Sequence, residues 1–172
     1  MRILFVTHDG PQVTYLESLF LPIFAGLQAG DVSFDVLQFR WGDKAGEDQI
    51  RQACNAVGIG YRAVPVWRWG GAAGPFLSAI WGGRHLRSAV RHFKSDIVMP
   101  RGMMPSISAL AAGIHKTRPV LFDADGLPTD ERVDVSGLSP TGATYRILRD
   151  VEAQTVRLAT SVLIRTQRTA EI

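Results

Sequence analysis

Four short apolar runs in this 172-residue sequence lead into residues that can do chemistry. Residues 3–6 run into His8, Asp9 and Gly10, and residues 96–100 into Arg101 and Gly102. Residues 120–122 run into Asp123 and Asp125, and residues 161–164 toward Thr166. His8 has the ordinary pKa of a general base near neutrality, and could equally hold a loop through a structural hydrogen bond. Asp123 and Asp125 could act as a base or as a pair that binds hydroxyls. They stand two apart just past a strand, so they need not point the same way, and one could instead cap a turn. Arg101 could hold a phosphate or carboxylate, or pair with an aspartate across a cleft.

Several other chemistries lack their residues. H-D-G-P-Q-V-T-Y stands after the first run, where a dinucleotide fingerprint would need glycines for close pyrophosphate approach. No Walker A sequence and no G-x-S-x-G elbow occurs. The four histidines are scattered without zinc spacing, so no metal site is expected. One cysteine, Cys54, excludes an internal disulfide framework and a Cys-based zinc cluster.

The elements that must position these groups alternate. Strands are expected over 3–6, 34–39, 61–67, 96–100, 120–122 and 161–164. Helical spacing runs over 15–29, with Pro22 kinking the helix or sitting in its first turn, and over 47–57 after a loop at 41–45. A helix over 76–93 follows a glycine-rich loop at 70–75 and could break at Gly82-Gly83. Ser106 is the expected N-cap of a helix to about His115, and Ser139-Pro140 the expected start of the last helix. Residues 127–138 read as a long polar loop. Six strands alternating with helices predict one α/β domain over 1–172, with a doubly wound, mostly parallel six-stranded sheet. Ligands in such sheets bind beyond the carboxyl ends of the strands, where the candidate residues fall.

Charge is uneven along the chain. Residues 1–48 carry 3 basic and 7 acidic side chains, residues 49–95 carry 7 and none, and residues 96–172 carry 9 of each. The net +3 is too small to argue for nucleic acid. The basic middle third also holds Tyr61, Trp67, Trp69, Phe76, Trp81 and Phe93. Within it, Arg84, Arg87, Arg91 and Lys94 fall in about an 80° sector of the helix, beside Leu86, Ala89, Val90 and Phe93. Such a face is either simply solvated or suited to an anionic partner such as a membrane surface. No apolar run reaches the roughly 18 residues of a membrane span. The start, M-R-I-L-F-V-T, is a strand pattern rather than a signal peptide, so a cytoplasmic setting is expected.

The order of these pieces resembles the N-terminal domain of GT-B glycosyltransferases, closest to the family-4 group. M-R-I-L-F-V-T-H-D-G-P looks like its first strand and loop, and D-I-V-M-P-R-G before S-I-S-A-L-A-A-G like its fourth-strand segment. P-V-L-F-D-A-D-G-L-P-T-D-E-R-V-D resembles its F-D-x-R-G segment, with Asp125 at the arginine position. Residues 145–172 resemble its last helix and strand before the interdomain linker. A Gly-Gly pair is common in the family's first loop, where this chain has Gly10 before Pro11.

The resemblance implies the acceptor-binding half of a two-domain enzyme. Such an enzyme is metal-independent and retaining, and moves a sugar from a nucleotide donor to a carbohydrate or lipid-linked hydroxyl. The donor would bind mainly to a C-terminal domain lying outside these residues, and the isolated half would be inactive. His8, Asp9 and Gly10 would face the cleft and the donor phosphates, and Arg101 and Asp123 would line the acceptor side. Contact with an inner membrane face through Arg84, Arg87, Arg91 and Lys94 would fit the same picture. A stand-alone module binding a small anion or a protein partner is the alternative.

Overall fold

The computed structural model describes residues 1–67, 73–125 and 139–164. The expected loop at 127–138 and Thr166 lie outside them. β1 (Arg2–Asp9) is buried on both faces from Ile3 to Thr7, as its unbroken apolar run requires of a central parallel strand. It pairs in parallel with β2 (Ser33–Arg40) on one side and with β4 (Ile97–Pro100) on the other. β2 pairs with β3 (Gly60–Pro65), giving a four-stranded sheet of order 3-2-1-4.

β5 (Leu121–Asp123) and β6 (Ser161–Leu163) form a parallel pair of their own. This corrects the expected single six-stranded sheet to four strands plus two. Proline chemistry explains the break. On the edge of β4 that faces β5, the Val98 N–H donates to the Pro119 carbonyl at 3.1 Å and the Gly102 N–H to the Asp123 carbonyl at 2.9 Å. Between those two donors stands Pro100, which has no N–H. Isolated bridges at Val98–Val120 and Arg101–Asp123 therefore join the two parts without a continuous ladder.

Alternation along the strands feeds two cores. Ile3, Phe5, Phe34 and Val36 point to one face. They pack there against a π-helical turn (Leu16–Phe20), α1 (Leu21–Leu27) and α2 (Lys44–Ala56). Leu4, Val6, Leu37 and Val98 point to the other face. They meet α3 (Ala73–Phe93) and α4 (Met103–Ala111) there. α5 (Ala143–Leu158) joins through Leu148, which packs with Met103 and Ile107.

Local details depart from the sequence reading for physical reasons. The single helix expected over 15–29 is a π-turn followed by α1, with Pro22 in the first turn of α1. A proline ring crowds the carbonyl four residues back in a regular helix, and a wider preceding turn relieves that crowding. α2 begins inside the expected loop, because the Asp43 carboxylate accepts from the Gly46 N–H at 2.9 Å and caps it. α3 runs unbroken through Gly82-Gly83. A Cβ on Gly82 would lie 2.6 Å from Ser108 Oγ, and one on Gly83 would lie 3.0 Å from the Ala112 nitrogen. Gly83 thus lets α3 meet the backbone at the end of α4, and Gly82 makes room for Ser108 and Phe39. Ser106 is not an N-cap: it lies inside α4 and its hydroxyl donates to the Gly102 carbonyl at 2.7 Å. Ser139 is not one either, since its carbonyl closes a turn with the Gly142 N–H and α5 starts at Ala143.

Candidate functional site

Strand order 2-1-4, with β5 beside β4, brings the ends of β1, β4 and β5 together, as the sequence expectation requires. Val6 is level with Pro100, and Arg101 bridges to Asp123, so the candidate groups stand at one carboxyl edge.

Arg101 is the centre of that edge. Its side chain is buried, with Nη1 at 2.8 Å from Asp123 Oδ2 and Nη2 at 2.6 Å from Asp125 Oδ2. The guanidinium also lies 4.6 Å from the centre of the Phe20 ring and 5.9 Å from that of Tyr15. Asp123 is buried, while the Asp125 side chain keeps 35% of its exposure. One cation is thus matched by two carboxylates. Of the two sequence alternatives for Arg101, pairing with aspartate is the one observed.

Asp9 is held by a second polar chain. Its Oδ2 accepts from Thr7 Oγ1 at 2.6 Å and from Gln38 Nε2 at 3.2 Å. Gln38 Oε1 in turn accepts from the Tyr61 hydroxyl at 2.6 Å, in a buried contact. Burial pushes the Tyr61 hydroxyl pKa up, which keeps the donor protonated. His8, next in the strand, leaves the pleat on the opposite side and lies against Trp41, with ring centres 5.3 Å apart. Gly10 fits under the same indole: a Cβ there would lie 2.6 Å from Trp41 Cζ2. Gly102, at φ +69 and ψ −169, occupies a region of backbone space almost confined to glycine and turns the chain into α4.

Beneath Arg101 and Asp123, a cavity of about 440 Å³ opens between α1 and the sheet. Leu19, Ile23, Leu27, Met99, Leu121 and Leu163 are among its lining residues, so the ion pair marks its polar end. Among the described residues no cluster of three His, Cys, Asp or Glu could hold a metal ion. None of their helices is long and apolar enough to cross a membrane.

Tyr15, Phe20 and Gln38 border the candidate site and are not among the sequence candidates, and Tyr61 is named there only among the aromatics of the basic middle third. Gln38 is one of three polar side chains, with Asp35 and Arg40, that β2 buries. Arg84, Arg87, Arg91 and Lys94 are exposed along α3 and just past its end.

No family model matches the sequence, and no curated protein resembles it in sequence. Solved structures do resemble it in fold. The chain aligns over 99% of its length with 42% of UDP-GlcNAc 2-epimerase from Neisseria meningitidis bound to UDP-GlcNAc, at TM-score 0.62 and 18% identity. It aligns over 99% with 40% of the S. aureus MnaA–UDP structure, at TM-score 0.61 and 14% identity. Anabaena Alr3699/HepE in complex with UDP gives TM-score 0.59 and 17% identity, with 99% and 39% covered. The shared fold is the Rossmann-like α/β sheet of the GT-B architecture. The chain spans about two-fifths of the length of these structures.

Proposed function

We propose that residues 1–172 are the acceptor-side half of a nucleotide-sugar-dependent enzyme that moves a sugar, with retention, onto a carbohydrate or lipid-linked hydroxyl. One observation carries the reading: Arg101 is sealed by Asp123 and Asp125, with Asp9 held in place on the same edge. An edge with more carboxylates than cations suits the hydroxyls of a sugar better than the phosphates of a nucleotide. The nucleotide then belongs to a second domain, in keeping with the two-fifths coverage of the longer structures. Asp9, oriented by Gln38 and Thr7, accepts from a sugar hydroxyl, and His8 moves a proton at the end of β1. Asp123 fixes Arg101, and Asp125 offers its half-exposed carboxylate. Gly10 and Gly102 complete the rim in this reading, which calls for no metal or resident cofactor.

The test is saturation-transfer NMR on the 172-residue chain, with methyl glycosides, UDP-sugars and UDP alone as probes. Saturation of sugar-ring protons that fades in Asp9→Asn supports the reading. Saturation confined to uridine, or none with any probe, rejects it.

The fold likeness to two UDP-bound structures and a UDP-GlcNAc 2-epimerase favours a second reading, in which the same edge serves an epimerase-type reaction on the sugar ring. Turnover by the polypeptide that carries this chain separates the two. Transfer releases nucleotide in proportion to added acceptor, whereas epimerisation returns an isomeric nucleotide sugar without one.

A further inference from the structure

The outward face of α3 is divided along its length. Ala79, Gly82, Gly83, Leu86, Ala89 and Val90 form its buried side. Opposite them, the first half presents Leu77, Ile80 and Trp81, which are 56%, 43% and 51% exposed. Trp67, 48% exposed, lies beside them with its ring centre 5.9 Å from that of Trp81. Single exposed apolar side chains are ordinary, but four large ones gathered in one place are not. Arg84 follows directly, its guanidinium 4.5 Å from the centre of the Trp81 ring. Arg91 and Lys94 continue the exposed face. Arg87 is engaged elsewhere, since its Nε donates to the Ala112 carbonyl at 2.8 Å and caps the end of α4.

We propose that this face of α3 docks on an anionic lipid bilayer. Trp67, Leu77, Ile80 and Trp81 enter the interface, and Arg84, Arg91 and Lys94 meet the headgroups. Tryptophan and large aliphatics favour the boundary between headgroups and acyl chains, and nearby Lys and Arg are attracted to an anionic leaflet. Charge complementarity supports this occupant, because the 47 residues from Gln49 to Ser95 contain no acidic side chain. The aliphatic pair distinguishes it from a soluble polyanion, for which Leu77 and Ile80 would have no use. The apolar end also lies at the carboxyl edge of the sheet, since the Trp67 N–H, just past β3, donates to Ser78 Oγ at 2.9 Å. A docked bilayer would therefore stand on the same edge of the sheet as Arg101. The inference goes beyond the sugar-enzyme reading and stands without it.

Co-sedimentation of the full 172-residue chain tests it. The probes are vesicles of phosphatidylcholine alone and vesicles with about 30% phosphatidylglycerol, at low salt and at about 0.5 M salt. Sedimentation with the anionic vesicles only, reversed by salt, is expected. The triple variant Arg84→Gln, Arg91→Gln, Lys94→Gln should weaken binding on the order of a hundredfold. Leu77→Ser with Ile80→Ser should weaken it about tenfold. Both variants should melt like the parent chain, because the changed side chains are exposed. Absence of anionic binding at low salt overturns the proposal, as does equal binding by either variant. Binding to heparin but not to vesicles overturns it in favour of a polyanion. A dimer dispersed by Leu77→Ser with Ile80→Ser overturns it in favour of a second copy.

Discussion

Arg101 Nη1 lies 2.8 Å from Asp123 Oδ2, and both side chains are buried where β4 ends beside β5. A buried charge is costly mainly when its partner is removed. Arg101→Met should therefore destabilise the chain by about 3–5 kcal/mol in urea titrations, by stranding Asp123. Asp125→Asn, at the more exposed carboxylate, should cost about 1 kcal/mol or less. Adding Asp123→Leu to Arg101→Met should recover most of the loss, since the pair is then replaced by apolar groups. Equal costs for Arg101→Met and Asp125→Asn would contradict the buried pair.

Tyr61, Gln38 and Asp9 act as a chain of donors and acceptors from β3 across β2 to the end of β1. Tyr61→Phe removes the donor to a buried Gln38 oxygen and should cost about 1–3 kcal/mol. A double-mutant cycle with Gln38→Leu should show coupling of about 0.5–3 kcal/mol. Additive effects would mean that the two residues do not share the hydrogen bond.

Burial, and then the nearby Glu17, pushes the Cys54 thiol from 9.0 up to about 12. Below pH 9.0 the thiol is neutral in folded and unfolded chains, so its contribution to stability is fully present. Between 9.0 and about 12 only the unfolded chain gives up the proton. Stability should then fall by about 1.4 kcal/mol per pH unit from this group. Cys54→Ala should flatten that alkaline limb, whatever constant offset its smaller side chain adds. Parallel limbs for the two proteins would show that Cys54 does not control the loss.

Glycine-to-alanine changes should have opposite signs in two helices. Gly26 in α1 has nothing within 4 Å of a built Cβ, so Gly26→Ala should stabilise by about 0.5–1 kcal/mol. Gly82→Ala and Gly83→Ala drive a methyl into α4 and Phe39, and should destabilise by about 1–3 kcal/mol each. Thermal unfolding of the three variants gives the signs directly.

Much of the fold was legible because it is local. The apolar run of β1, the alternation in β2 and the helical spacing of α2 and α5 each need only a window of residues. Elements shaped by distant contacts were not. Gly82-Gly83 reads as a helix break until α4 is seen against it, and the gap at Pro100 matters only once β5 lies alongside. The site divides the same way. Strand ends placed Arg101 and Asp123 at one edge, but their pairing spans 22 positions and no local spacing reports it. The Gln38 contact that orients Asp9 spans 29.

The Gly82-Gly83 contact has a mechanical meaning. Gly83 meets only backbone atoms of the α4 end and Gly82 meets the short Ser108 side chain, so little soft material stands between the two helices to absorb a displacement. α3 carries the exposed tryptophan Trp81 outward, and α4 starts at Met103, two residues past Arg101. A displacement of α3 is therefore expected to carry the start of α4, beside Arg101, along with it.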